Sequence, residues 1–111
     1  MKNPSSFRLA LAAIALFATA AFAATTAQVL LDAQVLDADY ADFNDTYDPN
    51  GDCEAQGAAL DDLDARHLQL VADRSELGPE CDCGEIDALL ADIYDASIIA
   101  KGTMGACGEE N

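Results

Sequence analysis

The feature that most restricts this chain is a long amphipathic stretch flanked by cysteines. Leu60, Leu63, His67, Leu70, Arg74 and Leu77 recur at steps of three and four, the spacing of one helix face. Cys53 precedes this seam, Cys81 and Cys83 follow it, and Cys107 lies near the end of the chain. A helix of about 20 residues spans roughly 30 Å. A disulfide needs Cα atoms within about 7 Å. The seam therefore holds Cys53 away from Cys81 and Cys83.

Processing sets the compartment. Lys2 and Arg8 form a short positive segment, Leu9 to Phe22 an apolar run, and Ala21-Phe22-Ala23 a small-x-small cleavage site. This pattern predicts a secretory signal peptide over residues 1–23, the apolar run being short for a membrane span. The mature protein is then residues 24–111, one domain, secreted to an extracellular or periplasmic space where disulfides persist. A domain this small often needs covalent or metal staples beside its core.

All 21 acidic residues lie beyond position 24, against Arg66, Arg74 and Lys101, so the mature charge is −18. Such a polyanion repels nucleic acid and anionic membrane surfaces, which excludes both as partners. No second apolar stretch offers stable membrane insertion.

Three helices are predicted, at about 26–43, 53–77 and 84–101, with an irregular tail over 102–111. Val29, Ala33, Leu36, Tyr40 and Phe43 form the core stripe of the first, widened by Leu30 and Leu31, with Thr25 or Thr26 as cap and Asp32 and Asp39 on the wet side. The second has Asp52 as N-cap, Ala59 and Val71 beside its seam, and Gly78-Pro79 as a stop. The third follows Asp82-x-x-Glu85, which resembles a capping box; it is patterned by Ile86, Leu89, Leu90, Ile93, Ser97 and Ala100, and Gly102 can end it. Short connections between three such helices predict an all-α, up-down-up bundle.

That bundle ranks the three possible cysteine pairings. Its second helix runs away from Cys53 and its third returns Cys107, which favours Cys53–Cys107. Cys81 and Cys83 are then left with each other. A Cys-x-Cys bridge is tight, and strain eases reduction. The pair thus reads as a labile disulfide, as two thiols, or as a sign that Cys53 and Cys107 each reach one of its members. Glu80 and Asp82 beside it, with no nearby lysine, oppose the low thiol pKa that redox catalysis requires.

The first connection is rich in oxygen ligands. Asp39, Asp42, Asp45, Asp48, Asn50, Asp52 and Glu54 fall within sixteen residues around the turn Asp48-Pro49-Asn50-Gly51. Asp42 to Glu54 are candidate calcium ligands. The EF-hand template fails on them: with Gly51 at loop position 6, Thr46 falls at position 1 and Gly57 at position 12, where glutamate is required. Asn44-Asp45-Thr46 is a formal glycosylation sequon at the end of the first helix.

His67 is the lone histidine, so neither a haem attachment motif nor a two-histidine site can be assembled, and it reads as a polar residue at the core edge bonded to a carboxylate. Four cysteines and His67 suffice in number for zinc but lack paired Cys-x-x-Cys knuckles. Catalytic triads and phosphate loops are unsupported. The sequence points to a non-enzymatic extracellular binding protein. The alternative is a carrier, of calcium on the acidic loop or of a small lipophilic ligand in the bundle.

Overall fold

The computed structural model describes residues 24–108 and is all-helical, with three helices over that span. The predicted signal peptide, residues 1–23, lies outside the described residues. The helices are α1 (Thr26–Thr46), α2 (Cys53–Glu76) and α3 (Gly84–Gly105). None is long and apolar enough to cross a membrane.

Local chemistry explains most helix ends. Thr25 Oγ1 accepts from the Gln28 amide at 3.1 Å, and an Asp52 carboxylate oxygen accepts from the Ala55 amide at 3.0 Å, so both N-caps relieve orphan donors. Gly78 adopts φ of 81° just past α2, the left-handed residue that closes a helix.

Three ends differ from expectation. Asp82 does not cap α3: Cys83 is the N-cap, with no side-chain capping bond. Cys83 is 4% exposed, and drawing it into the core turns Asp82 outward. Gly102 does not end α3, and α1 continues to Thr46. Tertiary ties outweigh the roughly 1 kcal/mol helix penalty of glycine: Tyr47 Oη donates to the Thr103 carbonyl at 3.1 Å, and Met104 packs on the core. Residues 102–105 are therefore helix rather than tail.

The core is the set of facing stripes. Val29, Ala33, Leu36, Tyr40 and Phe43 of α1 are buried against Leu60, Leu63 and Leu70 of α2 and Ile86, Ile93 and Ala100 of α3. The predicted flanks are narrower than drawn, because three helices bury only part of each circumference. Leu31 and Val71 are exposed, as is Ala59, while Leu30, Leu89 and Leu90 pack partly buried at the margin.

Contacts between helices fall in register. Asp39 and Tyr40 of α1 meet Arg66 and Asp64 of α2; Asp64 and Arg74 of α2 meet Lys101 and Asp87 of α3. Asn44 and Tyr47 reach the carbonyls of Ala96 and Thr103. The structure brings Cys53 and Cys107 to disulfide distance, with Cα atoms 5.9 Å apart, and Cys81 and Cys83 likewise at 5.3 Å. No cysteine among the described residues is free.

Candidate functional site

The α1 and α2 stripes that face each other are flanked on one side by a second, more polar pair. On α1 this flank is Val35, Asp39, Asp42 and Thr46; on α2 it is Ala55, Ala59, Asp62, Arg66, Gln69 and Asp73. The steps of four and three match those of the core stripe, so each flank runs straight along its helix. Because these side chains are short or charged, they leave the α1–α2 seam unfilled.

Two hollows result, open to solvent. One, of about 250 Å³, has Val35, Leu36 and Leu70 as its apolar part and Asp32 and Asp73 at its edge. The other, of about 390 Å³, rests on Phe43, Leu63 and Tyr47, with Asp39, Asp42 and Asp62 around it. Arg66 lines both and divides them. Its guanidinium donates to Asp39 at 2.8 Å and stands 3.8 Å from Asp62. Asp39 thus sits beside the seam rather than on the opposite wet side, and Asp32 is likewise half-buried there. Together the hollows form one groove with an apolar floor and acidic walls.

The candidate calcium ligands are spread over different tasks. Asp48 accepts from the Asn50 amide at 2.9 Å in a side-chain turn, and Asp52 caps α2. Asp42 faces the groove, while Asp45 and Glu54 stand exposed on α1 and α2, and Asn50 is exposed in the turn. Among the described residues no three His, Cys, Asp or Glu side chains converge on a point that would hold a metal. The connection is instead held by amides. The Asp48 amide donates to Gln56 Oε1 at 2.9 Å, and Gln56 Nε2 donates back to the Asp48 carbonyl at 3.0 Å. Asn44 is not at an exposed helix end: it lies within α1, half-buried, with Nδ2 donating to the Ala96 carbonyl at 3.2 Å.

His67 sits at the core edge as expected, but its neighbour is aromatic. Its ring meets Tyr40 edge to face, centroids 6.1 Å apart. The buried Tyr40 hydroxyl donates to Asp64 at 2.5 Å, which leaves that carboxylate oriented toward the tyrosine. Burial and the bond to Asp64 push the Tyr40 phenol well above its ordinary value. Burial lowers the His67 pKa, against the opposing pull of Asp64 and with help from Lys101, so its neutral form is favoured. Burial, and then Asp92, raise the Asp37 carboxyl.

The groove was missed in the sequence because its residues look like ordinary solvated positions. The available signal was the second four-three stripe on α2, which becomes meaningful only once α1 is known to lie beside it.

No family model matches the chain, and neither curated proteins nor solved structures include a match to it.

Proposed function

We propose that this is a secreted, non-enzymatic binding protein, an acidic three-helix domain whose α1–α2 groove docks a partner. In this reading the helices run up, down and up after removal of residues 1–23, an order supported by the register of the helix contacts and by Cys107 beside Cys53. The observation that carries the reading is the groove itself: two hollows end to end over buried Leu36, Phe43, Leu63 and Leu70. Exposed Leu31, at 53%, and Val35, at 46%, lie one helical turn apart on α1 and extend its apolar floor outward. An open apolar floor walled by carboxylates suits a protein surface with matching polar rims better than an enclosed lipophilic ligand.

Isotope-labelled protein titrated with an electrically neutral amphipathic Leu/Gln helix peptide tests this. Saturable amide shifts confined to the outer flanks of α1 and α2 are expected. Shifts confined to α3, or none that saturate, contradict the reading.

A further inference from the structure

We propose that the partner element is a cationic amphipathic helix, laid along the α1–α2 groove as a fourth helix of the bundle. This rests on the groove being a docking site and adds the identity of what docks.

Length, shape and charge point the same way. The groove is lined by α2 from Ala55 to Asp73, a distance of about 27 Å at 1.5 Å per residue. A helix of about 18 residues, or five turns, matches that span. Two helices side by side present a concave seam, and a further helix fills it by presenting apolar residues at i, i+3, i+4 and i+7. Completing a four-helix arrangement would cover Val35, 46% exposed, and close the hollow that lies over buried Leu36 and Leu70.

The walls select the sign of the partner's charge. Asp32, Asp39, Asp42, Asp62 and Asp73 line the groove against the single guanidinium of Arg66, a net of −4. Arg66 is already engaged by Asp39 and Asp62, so it offers little to an acidic ligand. Lys or Arg residues flanking a partner's apolar stripe would face Asp42 and Asp62 on one hollow and Asp32 and Asp73 on the other. A second copy of this chain, also at −18, is repelled from the same surface. Nucleic acid and anionic lipid are repelled too, and lack the apolar stripe. A basic helix is attracted by the field before contact and held by the floor after it.

The test uses three labelled 18-residue peptides sharing one Leu stripe, flanked by Lys, Gln or Glu, and a scrambled Lys/Leu peptide that lacks the stripe. Fluorescence anisotropy with the full mature protein near 0.15 M ionic strength gives affinities, and amide shift mapping gives the site. The Lys-flanked peptide should bind at least tenfold tighter than the Gln-flanked one, with the Glu-flanked peptide weakest. D42N/D62N/D73N should reduce Lys-peptide affinity about tenfold and leave Gln-peptide affinity unchanged, at unaltered helical CD. Leu68→Ser, at a site 75% exposed and outside the groove lining, should change neither. Equal binding of the Lys and Gln peptides in the groove overturns the cationic assignment and leaves the docking groove standing. Binding of the scrambled peptide as tightly as the striped one overturns the helix assignment. Failure of every peptide to shift groove amides overturns both readings.

Discussion

The two connections of the bundle each carry a cysteine pair, yet they hold the molecule together by different means. At the 47–52 connection, Cys53 meets Cys107 across 54 residues of sequence, and Gln56 pins the turn through both groups of Asp48. Tyr47 and Asn44 reach α3, and the Gly108 amide donates to the Pro49 carbonyl at 3.4 Å. At the 77–83 connection the cysteines are two residues apart, so their pairing links no separate elements. There the crossing contact is Arg74, whose Nε donates to Asp87 at 2.7 Å and whose Nη1 donates to the Gly78 carbonyl at 3.3 Å. One end is cross-linked through the fold and the other only within its own turn. The groove runs between them, with its Tyr47–Gln56 side at the cross-linked end and its Asp32–Asp73 side toward the other.

The largest effect should come from removing the long-range pair. In the chain-entropy model, closing a loop of this length contributes about 4 kcal/mol. C53A/C107A should lose roughly that much in urea unfolding, with its m-value rising as the unfolded chain expands. C81A/C83A releases a closure of only three residues and should lose about 1.5 kcal/mol. If the second variant proved as damaging as the first, the contrast between the ends would fail.

Gln56→Ala sharpens the comparison at the firm end. It removes both bonds to Asp48, and a weak 4.0 Å contact of Nε2 with Cys107 Sγ, while leaving the cysteine pair in place. It should cost about 1 kcal/mol, the net worth of exposed amide bonds being small. Hydrogen exchange should then quicken at 48–51 and stay unchanged at 78–82.

Acid should act first at the other end. The hydrogen bond from Arg74, and secondarily its charge, hold the Asp87 carboxyl below the ordinary 3.8. A carboxyl lowered on folding adds stability that is present above its unfolded value and lost as pH falls through its folded one. Below about pH 3.8, amides at 77–83 should therefore exchange faster before those at 47–52 do. Asp87→Asn should remove that ordering by making the 77–83 amides exchange faster already at neutral pH, because the stabilisation lost in acid is then missing throughout.

How much of this was legible in the sequence depended on whether the deciding interaction was local. The α1 stripe from Val29 to Phe43 and the caps at Thr25 and Asp52 follow from spacing and side-chain chemistry within a few residues, and the structure reproduces them. The pairing of Cys53 with Cys107 needed only the additional fact that α2 is long. What escaped was decided between helices. Helix α3 passes Gly102 because Tyr47 and Met104 secure the last turn, and Asp82 loses the cap because Cys83 enters the core. Val71 lies beside the seam by spacing, yet neither neighbouring helix covers it and it stays 47% exposed. The groove is the extreme case. Asp42 belongs to the acidic connection by sequence, yet it lines a hollow with Asp62 and Arg66 of another helix. Nothing in the sequence near Asp42 specifies that neighbourhood.

Peptide mapping of the unreduced protein by mass spectrometry tests the central claim most directly, because helix α2 places Cys53 about 36 Å from the 77–83 turn. The account predicts the Cys53 peptide joined to the Cys107 peptide, with Cys81 and Cys83 linked to each other inside a single peptide. Cys53 joined to Cys81 or Cys83 would contradict it.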